Sequence, residues 1–258
     1  MVANKSKAAV FFRIAAAIML IALIFTVLSD LTFYIAREVT YQNVINQAEA
    51  LIKNFRLQML WAFLYNVIPI LTACVISIIM LITVIFLFGA KDKQAGVMLI
   101  INCVISLCSG IICRVIYITQ LLPNMNSLPS YLRSNYLDML ENLGKFILVF
   151  LLGLLLIGVF KKASKVFGFI LLGLFSVAWV MATVDFVREA LQLTRILING
   201  ARISTFEIIA RSSNVVFYLC LCLLYISYIF CSLGGALKPR ETVPAPNSTP
   251  TDQKLYEK

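Results

Sequence analysis

Arg114 is the residue best placed to do chemistry, because it stands inside the apolar run from Val97 to Leu122. An ionised side chain there must find a partner, a polar cavity or the membrane surface. On a helix rising 1.5 Å per residue, it falls roughly 7 Å beyond the midplane of that run. One reading makes it part of a site for an ion, a proton or an anionic substrate. The other makes it structural, either snorkelling to the interface or paired with Asp30 or Asp185, each near the same end of its own apolar run. Asn66 and Pro69 form a second candidate. A proline inside a helix frees the carbonyl one turn earlier, which favours a kink or a cavity. With Tyr65, Asn102, Gln120 and Arg114 these residues could line a small polar vestibule open to the outside. The structural alternative is an ordinary kink repaired by Thr72 or by Asn66 itself.

The missing residues exclude more than the present ones suggest. The chain has no histidine, so it lacks the commonest general base, proton relay and metal ligand. The seven cysteines (Cys74, Cys103, Cys108, Cys113, Cys220, Cys222 and Cys231) lie in or at the ends of apolar runs, at spacings that match no zinc pattern. They read as reduced packing residues. No nucleophile with a base, paired acids, phosphate loop or membrane-protease signature occurs, so the expectation is a non-enzyme without a cofactor. A net charge of +10 comes from basic residues spread over every loop rather than one aromatic-studded patch, which excludes nucleic acid. Anionic lipid headgroups are the expected partner, met above all by Lys161, Lys162 and Lys165 at the junction of two apolar runs.

Those residues have to be positioned by helices in lipid. The composition is 61% hydrophobic and 13% charged, more apolar surface than a soluble fold could hide. The expected class is all-α: a polytopic membrane protein of about six transmembrane helices with amphipathic helical outer connections. The spans fall at about 8–28, 61–88, 97–122, 144–160, 166–184 and 215–233, within one domain covering 1–236. The first span is too long for a signal-peptide core and reads as a retained helix. Residues 237–258 are polar and Pro-rich, the composition of a disordered tail.

Twelve Lys and Arg residues fall on the side holding both termini and the short turns, and nine on the side holding the long connections. The positive-inside rule then places both termini in the cytoplasm, with the plasma membrane as the default address. In the first outer connection Val44, Ala48, Leu51, Phe55 and Met59 recur at helical spacing, which predicts a helical hairpin turning near Thr40 to Asn43. The second carries Pro123, Pro129, Tyr131 and Tyr136 on a helix lying in the interface before the fourth span. The third is divided by Gly200, with Ser204 and Glu207 forming a capping box before the sixth span.

The stretch FLFGAKDKQAGVMLIINCVIS from Phe86 resembles LIGVFKKASKVFGFILLGLFS from Leu156, displaced by 70 residues. Duplicated hairpins are one route to transporter folds, although any two apolar hairpins joined by a lysine turn share this likeness. Small or weakly polar residues line one face of the third span (Asn102, Ser106, Ser109, Gly110, Cys113) and part of the fifth (Gly173, Ala178, Ala182). Such faces serve close helix packing or association with other membrane proteins. The first expectation for function is interaction, assembly or sensing within a membrane complex. The alternative is a transporter or channel for a small solute or lipid, using an outward-facing vestibule near Arg114.

Overall fold

The computed structural model describes residues 2–48, 55–121, 128–160, 163–198 and 205–238, with side chains at 7–32, 67–115, 142–160, 163–198 and 208–238. Six helices follow one another: α1 (Val2–Ala48), α2 (Phe55–Phe88), α3 (Asp92–Leu121), α4 (Leu128–Ile157), α5 (Ser164–Ile198) and α6 (Thr205–Leu237). Five contain stretches long and apolar enough to cross a membrane, at Lys7–Thr32, Val67–Phe88, Asp92–Val115, Ser164–Ile198 and Ile208–Leu237. The protein is therefore an all-helical integral membrane bundle. Helix α4, whose side chains are described only from Asn142, adds an apolar stretch at Asn142–Ile157 and ends before the expected limit of 160.

Two expected connections are corrected. The chain does not turn at Thr40 to Asn43, since α1 runs unbroken to Ala48. Nothing in that stretch breaks a helix: it holds neither Gly nor Pro. Val44 and Ala48 thus close one helix while Phe55 and Met59 open the next. The helix expected to lie in the interface before the fourth span is continuous with it as α4, and Pro129 sits in the first turn, where its missing N–H is no loss. Gly200, Ser204 and the tail from 239 onward lie outside the described residues.

Neighbouring helices run antiparallel, so α1 begins and α6 ends at the end of the bundle that carries the two short turns. This is called the near end below. Both turns close in the same way. At the first, the Lys91 N–H bonds to the Phe86 carbonyl and the Ala90 N–H to that of Leu87; at the second, Val159 bonds to Leu154 and Gly158 to Leu155. Each is a helix-ending motif that needs one left-handed residue, and these are Ala90 (φ 53°) and Gly158 (φ 92°). The left-handed positions are 68 residues apart, whereas the helices that follow start 72 apart. No single displacement of 70 superposes the hairpins. Moreover, α2 packs along α3 while α4 touches α5 only lightly. The likeness is one of composition.

Alanine resists the left-handed region for want of space around its Cβ. Ala90→Gly is expected to raise stability by about 0.5–1 kcal/mol, seen as a higher thermal midpoint in detergent. An unchanged or lower midpoint would contradict it.

Helix α6 is the axis of packing, in contact with α1, α5 and α4. Small residues let it approach closely: Phe12 of α1 covers Gly234, Leu155 of α4 covers Gly235, and Gly168 of α5 lies against Ala236. Buried Phe175 packs beside Tyr225 and Tyr228, with ring centroids 6.4 and 5.3 Å away. Serines bridge α1 and α6 at two levels. Ser227 Oγ donates to the Ala15 carbonyl at 3.0 Å, and the hydroxyls of Ser29 and Ser213 each lie 3.1 Å from the other's carbonyl. In lipid, such hydrogen bonds and close packing replace the hydrophobic drive between helices.

Candidate functional site

The near half of the bundle is closed and the far half is not. Among the described residues, burial on α2 begins only at Ile79, on α3 it stops at Cys103, and on α4 it begins only at Leu152. By contrast α1 stays buried as far as Ser29, α5 as far as Ala182, and α6 from Ser213 onward. Helical spacing shows that the change is not a change of face. On α3, buried Ala95, Leu99 and Asn102 are continued at three- and four-residue steps by Ser106, Ser109 and Cys113, all only half-buried. On α4, buried Leu156 and Leu152 are continued by Leu148 or Val149 and then Lys145, again half-buried. The interior faces therefore stand open toward the far end.

Two glycines on nearly one face of α3 measure the divergence. A Cβ on Gly96 would meet the Gly153 carbonyl oxygen of α4 at 2.6 Å, so the two backbones touch there. About four turns further, a Cβ on Gly110 would have nothing within 4 Å. Between them, Cys103 Sγ lies 3.2 Å from the Phe146 carbonyl oxygen and still joins the helices.

Depth follows from helix rise. Taking the near boundary at Asp92, Asn102 lies about 15 Å in and Arg114 about 33 Å in, against a hydrocarbon layer of about 30 Å. Counted this way, Arg114 lies toward the far side of the layer. Helix α3 itself begins at Asp92, with Asp92, Lys93 and Gln94 ahead of its apolar residues. The expected pairing of Arg114 with Asp30 or Asp185 is not formed. Asp185 lies 3.2 Å from Arg188 on its own helix, Asp30 is exposed, and half-buried Arg114 has no ion-pair or hydrogen-bond partner among the described residues.

Asn102 is buried in the middle of the layer. Its Nδ2 lies 3.3 Å from Met80 Sδ, and its Oδ1 has no hydrogen-bond partner. Pro69 is half-buried within α2, and Asn66 lies outside the described side chains. The Thr72 hydroxyl donates to the Ile68 carbonyl at 2.8 Å and lies 2.8 Å from Ser109 Oγ, so it joins α2 to α3. It does not reach back to the carbonyl at 65 that Pro69 leaves free. Lys165 is exposed in the first turn of α5, while Lys161 and Lys162 lie outside the described residues.

Three features were not legible as sites beforehand. Lys145 lies within α4 one residue from Phe146, at the depth of Cys103 on α3. Its signal was the four-residue step from Val149 and the near-continuous apolar run beyond it. Asp92 and Lys238 form an ion pair between the start of α3 and the end of α6. The tightest small-residue contacts fall at Gly96, Gly153, Gly168 and Gly234, whereas Gly110 and Gly173, singled out in the sequence, meet open space. Among the described residues no group of three or more potential ligands could hold a metal. No protein family, curated protein or solved structure matches this chain.

Proposed function

We propose that this chain is a non-enzymatic membrane protein acting through an outward-facing vestibule, as a transporter or channel for a small solute or lipid. The observation that supports it is the open far half, whose interior faces carry Asn102, Ser106 and Lys145 to mid-layer depth above a closed near half. Polar groups at that depth are unfavourable unless water, protein or a ligand meets them. In this reading the near end and both termini face the cytoplasm and a leaflet of anionic headgroups, with the plasma membrane as the address. The vestibule then opens outward.

The test uses a chain with its seven cysteines replaced by alanine. A membrane-impermeant maleimide added to intact cells is expected to label Gly110→Cys, which faces the opening. It should leave Gly173→Cys unlabelled, since that position sits on a lipid-facing stripe with exposed Ile170 and Val177. If Gly110→Cys is as silent as Gly173→Cys, the vestibule reading fails.

A second reading, interaction, assembly or sensing within a membrane complex, is favoured by α4. Its interior face stands open beyond Leu152, and a partner helix would cover it. Affinity capture in mild detergent separates the two, because a stable stoichiometric partner that shields Gly110→Cys supports assembly.

A further inference from the structure

Resting on the vestibule reading, we propose that the two halves of the bundle rock against each other, closing the outer opening through an Arg114–Asp30 ion pair while the inner Asp92–Lys238 ion pair opens.

The hydrogen bonds between helices sort the molecule into two bodies. Within α2, α3 and α4 run Thr72 to Ser109, Asn102 to Met80 and Cys103 to the Phe146 carbonyl, together with the Gly96–Gly153 backbone contact. Within α1, α5 and α6 run Ser29 to Ser213, Ser227 to the Ala15 carbonyl, Thr183 to Cys222 at 3.7 Å and Arg211 to Gln192 at 2.8 Å. These bonds lie at several depths within α1, α5 and α6 and between α2 and α3, while α4 is held to α3 at Gly153 and Phe146. Between the bodies, Asp92 pairs with Lys238 at the near end. Beside it lie the Leu155–Gly235 contact and the packing of α1 on α2, whose buried residues (Met80, Val84 and Leu87) sit in the near half. Contacts concentrated at one end leave a hinge there, and rigid bodies moving about such a hinge are a recurrent form of alternating access.

The outer charges supply the closing contact. Arg114 belongs to one body and Asp30 to the other, and neither has an ion-pair partner among the described residues. They match in depth. Asp30 is about 35 Å along α1 from Lys7, and Arg114 about 33 Å along α3 from Asp92. Asp30 also follows half-buried Thr26 by one turn, placing it toward the interior side of α1, away from exposed Ile24 and Leu28. Asp185 is the poorer choice because Arg188 already engages it. Lys238 and Asp92 are the inner counterpart, with side-chain exposures of 29% and 15%. Partial burial makes that link sensitive to removal of either partner.

The experiment uses the full-length cysteine-free chain carrying Asp30→Cys and Arg114→Cys, in membranes, with a short bismaleimide. A cross-link is expected in part of the population, with a higher yield when Lys238→Met removes the inner ion pair. Full labelling of both cysteines without a cross-link in either background overturns the proposal, as does a yield unmoved by Lys238→Met. In a separate full-length pair retaining Asp30 and Arg114, Lys238→Met should lower impermeant labelling of Gly110→Cys severalfold. Loss of Gly110→Cys labelling in the parent chain would instead mean that the vestibule reading has failed, so the two failures are distinguishable.

Discussion

Replacing Gly96 by alanine is expected to cost about 3 kcal/mol, the upper part of the range for inserting a methyl group into a packed core. The added Cβ would stand 2.6 Å from the Gly153 carbonyl oxygen and 2.9 Å from Leu156 Cβ. Neither is the end of a flexible side chain, so the helices themselves must part. In water, some of this would be recovered from the better helix propensity of alanine, worth about 1 kcal/mol. In a bilayer that recovery is absent, because α3 is already helical before it packs. A loss of about 3 kcal/mol lowers the folded-to-unfolded ratio roughly a hundredfold. Gly110→Ala, on nearly the same face of the same helix but with nothing within 4 Å, should be close to neutral. Thermal midpoints of the two variants in one detergent make the comparison. Equal shifts would mean that α3 and α4 do not meet at Gly96. The contact matters for function because it locks α3 to α4 at the near end, beneath the point where their interior faces open.

The contrast between those glycines shows what the sequence could and could not convey. Apolar runs of membrane length are legible because lipid imposes a length and forbids unpaired backbone, whatever the helices later pack against. The short turns were equally plain, marked by lysines that must stay at the surface. Packing partners were not legible. Gly96, Gly110 and Gly173 are alike as letters, and only the angle between helices decides which one touches a backbone. Likewise, Arg114 drew attention as an apparently deep charge. Its depth depends on where along α3 the layer begins, and five residues at that end shift it by about 7 Å. The hairpin turn was misplaced for a related reason. Thr40 to Asn43 looks polar enough for a loop, but a helix without Gly or Pro has no cause to stop there.

Lys145→Leu is expected to favour membrane insertion and to harm function. A lysine near the centre of a span opposes insertion by about 2.5–3.5 kcal/mol, whereas leucine favours it by about 0.5 kcal/mol. The exchange should therefore improve insertion of the fourth helix by about 3 kcal/mol. In an insertion assay with glycosylation reporters, the natural segment around 140–160 should enter the membrane poorly and the leucine variant efficiently. Efficient entry of the natural segment would refute the mid-layer placement of Lys145. Stability and function are thereby set against each other at one residue. The face of α4 that packs Leu152 and Leu156 in the near half continues to half-buried Lys145 at the level of the opening above. If the vestibule carries the function, the leucine variant will accumulate normally and bring impermeant maleimide less readily to Gly110→Cys, since an apolar wall at that depth no longer holds water. If Lys145 only anchors the helix, labelling of Gly110→Cys will stay as it was while insertion alone improves.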